Sequence, residues 1–139
     1  MSTFQVSLVS PEALVFSGEA DQVDLPGTEG DFGVLAGHAA IVAMLRPGIV
    51  TLAARGGINL RFVVLGGLVE FSQAELTILA DSAESVDDFD LVGLAAQIDE
   101  MEKSLTEMTP DDGLDRAIVL LDRYKSIHLH LSSYATTAF

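Results

Sequence analysis

The chain has 139 residues, 49% of them hydrophobic, which is room for one ordinary domain or two small ones with cores of their own and excludes disorder as the main state. Seven Lys and Arg against 21 Asp and Glu leave a net charge of -14, a surface that repels nucleic-acid phosphates and anionic lipid headgroups. The lack of Cys excludes disulfides, thiolate zinc sites and cysteine nucleophiles and suits a reducing compartment such as the cytosol. Met1 to Val9 has neither the basic flank and apolar run of an export signal nor the Arg-rich character of a transit peptide. The most apolar stretch, Phe62 to Val69, is broken by Gly66 and Gly67 and falls far short of the roughly 20 residues that cross a bilayer, so no direct membrane insertion is expected.

From Phe4 the pattern has period two: Phe4, Val6 and Leu8 alternate with Gln5, Ser7 and Val9, as a half-buried strand requires. Short apolar runs follow at 14–16, 20–25, 34–35, 41–45, 49–54, 58–65, 68–71 and 76–80. Pro26-Gly27, Pro47-Gly48, Gly56-Gly57, Gly66-Gly67 and Gln73-Ala74 punctuate them and predict turns, with Gly56-Gly57 suited to a tight hairpin that needs positive φ. Short strands at this spacing predict a β sandwich or flattened barrel over residues 1–86.

After Glu84 the period changes. Leu91, Leu94, Ile98, Met101, Leu105 and Met108 recur at steps of three and four, the stripe of a helix, and Asp87, Asp88 and Asp90 stand where carboxylates cap a first turn. Thr109-Pro110-Asp111-Asp112 predicts a second start, with Thr as cap and Pro in the first helical position. That helix is expected from Pro110 to about Ser132, with Leu114, Ile118 and Leu121 on one stripe and Leu120, Tyr124, Ile127 and Leu131 on another. The short connection predicts an antiparallel helical hairpin over 87–139. Two helices alone bury little, so this hairpin leans on the β domain or on another protein.

No cluster of chemistry-bearing residues stands out. Gly27-Thr28-Glu29-Gly30-Asp31-Phe32-Gly33 is rich in Gly but is not followed by Lys and Ser or Thr, and its two acids repel phosphate. Asp88, Asp90, Gly93 and Asp99 mimic part of a calcium loop, yet Val92 holds a ligand position and the closing Glu is missing. His128 and His130 point about 200° apart on a helix and cannot share a metal. A hydrolase built on His38 lacks a nucleophile elbow and a matching acid. Residues 1–86 carry 3 basic and 10 acidic side chains and residues 87–139 carry 4 and 11, so the charge is shared evenly. Within the hairpin, Arg116, Arg123 and Lys125 gather in the second helix, partly as ordinary i to i+4 partners such as Asp112 with Arg116 and Asp99 with Lys103. A cored β domain, an under-supported helix pair and no reactive cluster describe a component of an assembly rather than an enzyme.

Several ordered segments carry a resemblance. Val9-Ser10-Pro11-Glu12, Phe16-Ser17-Gly18-Glu19-Ala20, Pro26 through Leu35, Gly37-His38-Ala39, Leu45-Arg46-Pro47-Gly48, Gly66 through Glu70 and Leu79 through Glu84 resemble, in order, the epsilon subunit of bacterial F-type ATP synthase, over residues 4–84. The helical hairpin is similar in architecture and only weakly in sequence.

The resemblance implies a ten-stranded antiparallel β sandwich at the foot of the central stalk, bound to the gamma subunit and set against the ring of c subunits. It implies a non-catalytic rotor part on the cytoplasmic face of the bacterial plasma membrane, peripheral to it, that helps couple proton flow to ATP synthesis. By the same resemblance Glu29, Asp31 and Phe32 face the basic polar loops of the c ring, and the Ser10 and His38 regions meet gamma. The hairpin of the family can extend along gamma and restrain ATP hydrolysis, which makes Arg116, Arg123 and Lys125 candidates to touch the alpha and beta subunits. Ala36 and Ala40 stand where Pro is frequent in the family, a change expected to loosen the loop around His38. Some relatives bind ATP through Ile or Leu, Asp, two residues, then Arg-Ala; here Phe89-Asp90-Leu91-Val92-Gly93-Leu94 has Gly93 in the Arg position, so no bound cofactor is expected. The alternative is a free-standing sensor of a small ligand or nucleotide, enclosed by sandwich and hairpin.

Overall fold

The computed structural model describes residues 2–110 and 113–137, with side chains as far as Ser132. Two compact units divide between Asp88 and Phe89, against the expected division after residue 86. The extra residues belong to the first unit because the Val86 amide donates to the Arg61 carbonyl and the Asp88 amide to the Ser85 carbonyl.

The first unit holds seven strands: β1 (Phe4–Val9), β2 (Leu14–Gly27), β3 (Gly30–Leu35), β4 (Ile41–Ala54), β5 (Ile58–Ser72), β6 (Glu75–Ala80) and β7 (Ala83–Ser85). The order β1-β6-β5-β4-β2 closes on itself because β1 also pairs β2; β3 lies beyond β2 and β7 pairs β5. Closure removes most unpaired edges, leaving a flattened barrel. The pairings are antiparallel except β1 with β6, which is parallel, so the expectation of an antiparallel sheet is corrected at that one seam.

Seven strands rather than ten follow from three long ones. β2, β4 and β5 are 14, 14 and 15 residues long, and each joins two of the expected apolar runs into one strand. The β2 ladder to β4 slips between Ala20 and Gln22, where β2 passes from β1 to its later partners. Pro47-Gly48 and Gly66-Gly67, expected as turns, lie opposite each other inside continuous β4 and β5, with Leu45 against Gly67 and Pro47 against Leu65. Pro removes a ladder donor and Gly accepts φ values closed to other residues, so both punctuate a strand without reversing it. Gly67 shows this need: its φ is +151°, and a Cβ there would sit 2.4 Å from the Leu79 carbonyl oxygen. The true reversals include the three-residue loop Arg55-Gly56-Gly57 and the two-residue loop Gln73-Ala74, with positive φ at Gly56, Gly57, Gln73 and Ala74.

Inward-facing residues meet in a core that includes fully buried Leu8, Leu25, Leu52, Val64, Leu76 and Ile78, alternating with outward ones most plainly along β1 and β6. Phe4 packs edge-on against Phe71, with centroids 5.6 Å apart, at one end of that core.

The second unit holds α1 (Leu91–Leu105) and α2 (Leu114–Thr137). Asp90 caps α1, its Oδ1 accepting from the Gly93 amide at 2.9 Å. α2 starts four residues later than expected. Pro110 sits in a 3₁₀ turn, and Gly113 takes φ +81°, which a right-handed helix cannot pass through, so the first helical bond runs from the Ala117 amide to the Gly113 carbonyl. The expected first-turn acids Asp111 and Asp112, and the pair of Asp112 with Arg116, lie outside the described residues. The helices pack through Leu94 and Ile98 on α1 and Leu121, Tyr124, Ile127 and Leu131 on α2. Ile118 and Leu120, expected on the buried stripes, are 41% and 40% exposed.

Candidate interaction surfaces

The Gly-rich segment forms the turn between β2 and β3. Gly27 pairs with Gly30, so Thr28 and Glu29 form the tip of a tight loop. A neighbouring strand holds it. The Thr28 amide donates to the Met44 carbonyl at 2.9 Å, and Arg46 reaches across from β4 with both guanidinium arms. Its Nη1 donates to the Gly27 carbonyl at 2.6 Å and its Nη2 to Asp31 Oδ1 at 2.5 Å. Pro47 then fixes extended backbone at Arg46, and Gly48 lets β4 approach Pro26, whose Cβ would lie 2.6 Å from a Cβ at position 48. Sequence reading placed Glu29, Asp31 and Phe32 together, and the structure does too, with different roles: Asp31 is paired with Arg46, Phe32 is half-buried, and Glu29 has no partner among the described residues. Between this loop and Ile41–Met44 lies an open groove of about 550 Å³.

Ser10 and His38 are not brought together. Ser10 is 7% exposed in the turn from β1 to β2, its amide donating to the Ala13 carbonyl at 2.9 Å and its hydroxyl to the same oxygen at 3.4 Å. His38 packs edge-on against Phe71 at 6.0 Å, and Phe71 in turn meets Phe4, at the far end of β1 from Ser10. At about 3.3 Å per strand residue the Phe4 end of β1 stands about 20 Å from Ser10. His38 Nδ1 lies 2.7 Å from the Ala39 carbonyl oxygen, which can only accept, so Nδ1 is the donor of that bond.

A feature that sequence reading missed connects the loop to the Ser10 turn. Directly paired residues face the same side of a sheet. Met44 pairs with Leu68, Leu68 with Leu79, Leu79 with Val9, and Val9 with Leu14. Met44, Leu68, Leu79 and Val9 form an apolar row across the outer face of four strands, and Leu14 adjoins it where the β1–β2 register shifts. Leu14, Leu79 and Met44 are 62%, 49% and 58% exposed. The adjacent outward row holds Val42, Glu70, Thr77, Ser7 and Ser17, so apolar character is concentrated in one line. The available signal was apolar residues on both phases of strands that otherwise alternate, as in Leu8-Val9, Leu68-Val69 and Ile78-Leu79.

On the second unit, Arg116 and Arg123 are seven residues apart, two helical turns, and share a side of α2; Lys125 lies about 200° round from Arg123. The three do not make one cationic patch. Lys125 Nζ is 3.6 Å from Glu102 Oε2 on α1, and Lys103 pairs with Asp99 at 3.5 Å as expected. The N-cap of α1 uses the Asp and the Gly of the ATP-motif segment: a Cβ on Gly93 would meet Asp90 Oδ2 at 2.4 Å.

Among the described residues no group of three or more His, Asp and Glu is placed to hold a metal, and no helix is long and apolar enough to cross a membrane.

Comparison with known proteins agrees with this architecture. Residues 3–86 match the family model of the ATP synthase delta/epsilon chain β-sandwich domain. The chain is 66% identical over 139 residues to ATP synthase epsilon chain 2 of Nitrobacter hamburgensis, covering all of both, and 53% identical over 133 residues to the ATP synthase epsilon chain of Afipia carboxidovorans, covering 96% of this chain and 97% of that one. A chain in the cryo-EM structure of the Euglena gracilis mitochondrial ATP synthase OSCP/F1/c-ring assembly shares the fold with a TM-score of 0.78, at 22% identity, over 94% of this chain and 82% of that one. The chain belongs to the epsilon-chain family of F-type ATP synthases, non-catalytic subunits of the central stalk.

Proposed function

We propose that this chain is the rotor subunit that carries torque between the c ring and gamma, with the apolar row Leu14, Val9, Leu79, Leu68 and Met44 as its gamma-docking face and the Glu29 loop turned toward the ring. The carrying observation is the row itself: four apolar side chains aligned by strand register with Leu14 adjoining them at a register shift, and three of the five about half exposed or more, on a chain of the epsilon family. Covering such a row removes apolar surface from water at about 25 cal/mol per Å². Torque transfer also needs a stiff body, and a closed barrel with no free seam between β1 and β2 supplies one.

The row ends at Met44, beside the loop that carries Glu29, so one rigid element spans both contacts. The turn around Ser10 adjoins Val9 of the docking face, and His38 lies toward the other end of β1. The subunit is peripheral, at the cytoplasmic face of the bacterial inner membrane. Arg116 and Arg123 present one cationic side of α2 to the acidic alpha and beta subunits when the hairpin is extended, and Lys125 joins them only after leaving Glu102. Extension in turn restrains ATP hydrolysis. ATP is not a ligand of the hairpin, since Asp90 and Gly93 are committed to capping α1 and no Arg stands at position 93.

Rebinding to an F-type synthase stripped of this subunit tests the proposal. The full chain and a chain ending at Asp88 are expected to bind with stoichiometry of one per gamma. Binding lost on truncation would move the gamma interface to the helices, and binding by neither chain would remove the rotor role in favour of the sensor.

A further inference from the structure

We propose that Arg46 is the positioning residue of the β2–β3 loop and that, by neutralising Asp31, it leaves Glu29 as the carboxylate that recognises a cationic partner surface. The proposal rests on the ring-facing reading of the loop given above. Expectation from sequence treats Glu29 and Asp31 as equivalent acids, two residues apart in a Gly-rich turn. The structure separates them. Arg46 is 22% exposed at its side chain, anchored on β4, and its planar fork takes one neutral and one charged acceptor on opposite sides of the loop, Gly27 O at 2.6 Å and Asp31 Oδ1 at 2.5 Å. A guanidinium is the side chain whose geometry allows this, because its donors are fixed in one plane.

Two consequences follow from that fork. The loop is tied at both stems, by Gly27 on β2 and Asp31 on β3, and a third bond, Thr28 N to Met44 O, ties its tip to the same strand. Second, the Asp31 carboxylate, though 76% exposed, is already paired with Arg46, so an approaching cation gains less from it. Glu29 has no such partner among the described residues and stands at the exposed tip. The ring-facing partner implied is a loop with Lys or Arg side chains, met by one carboxylate held in place by the strand behind it.

Amide exchange of the full chain and salt-dependent rebinding to the stripped, c-ring-containing synthase test the two parts separately. Arg46→Met is expected to speed exchange of the Thr28 amide by about three- to ten-fold, the size of a lost charge-assisted tie at a partly exposed site. Exchange within two-fold of the parent overturns the latch. In rebinding, Glu29→Gln is expected to weaken the complex about five-fold at low salt and flatten its salt dependence, with Asp31→Asn changing that dependence little. Arg46→Met is expected to steepen it, since Asp31 is then uncompensated, a change that a merely structural role does not produce. Arg46→Lys keeps the charge but not the fork and is expected to restore the parental salt dependence while leaving Thr28 exchange fast. Equal flattening by Glu29→Gln and Asp31→Asn overturns the assignment to Glu29. Failure of the parent chain to rebind overturns the ring-facing reading and the Glu29 role with it, and the exchange result then decides the Arg46 latch by itself.

Discussion

Lys125 of α2 and Glu102 of α1 face each other across the hairpin, Nζ to Oε2 at 3.6 Å, both side chains about half exposed. The residue proposed to touch the catalytic head when the hairpin is extended is, in the folded hairpin, tied to the first helix. An exposed pair of this kind contributes about 0.2–1 kcal/mol, whereas the apolar seam between the helices is worth several times more. Lys125→Ala is therefore expected to lower hairpin stability by less than about 1 kcal/mol, and Ile127→Ala, 3% exposed in the parent, by about 2–4 kcal/mol, read by urea denaturation followed at helical circular dichroism. A larger loss from Lys125→Ala than from Ile127→Ala would contradict an apolar seam as what holds the hairpin closed.

Gly67 and Gly56 both have positive φ, +151° and +93°, but only Gly67 has backbone within 3 Å of where a Cβ would stand. Gly67→Ala combines a conformation almost reserved for Gly with a clash against the Leu79 carbonyl and is expected to cost about 3 kcal/mol or more. Gly56→Ala meets open space and is expected to cost about 1–2 kcal/mol. Equilibrium unfolding of the two variants ranks them, and the reverse order would contradict the close approach of β5 to the Leu79 carbonyl at Gly67.

Glu19 is held below the ordinary carboxylate value of 4.5 by its hydrogen bond from Arg55, with help from the Thr3 hydroxyl and the charge of Arg55. A carboxylate whose folded pKa is depressed contributes stability above its unfolded pKa and loses it as pH falls through the folded one. The contribution is thus expected to persist at neutral pH, to start fading only below about 4.5, and to vanish in Glu19→Gln. Nuclear magnetic resonance titration of the Glu19 carboxyl checks it: a midpoint at or above 4.5 would mean that Arg55 leaves the pair in solution.

Calorimetry with ATP and magnesium is expected to give no micromolar binding, and Gly93→Arg alone is not expected to restore it while Asp90 caps α1. Micromolar affinity of the parent chain would overturn the reading of that segment as a helix start.

Much of the fold was legible because it depends on local period and turn chemistry. Phe4 to Val9 alternates, Gly56-Gly57 and Gln73-Ala74 are hairpin tips, and the stripe from Leu91 to Leu105 gives α1 with Asp90 as cap. Pro47-Gly48 and Gly66-Gly67 were misleading since a corner in a continuous strand and a reversal ask the same residues for the same φ values. The delayed start of α2 turned on the left-handed conformation of Gly113. The apolar row was illegible because Leu14, Val9, Leu79, Leu68 and Met44 meet only through four strand registers, one of them the parallel seam of β1 and β6. The bond of Arg46 to Asp31 spans 15 residues, and no local pattern announces it.

The most direct measurement is the affinity of the full chain for gamma in the stripped synthase when outward residues of the row are made polar. Leu79→Ser and Met44→Ser, 49% and 58% exposed in the parent, are expected to keep the unfolding free energy of the parent within about 0.5 kcal/mol and to weaken gamma binding by ten-fold or more together. Parental affinity from the double variant would contradict the apolar row as the docking face.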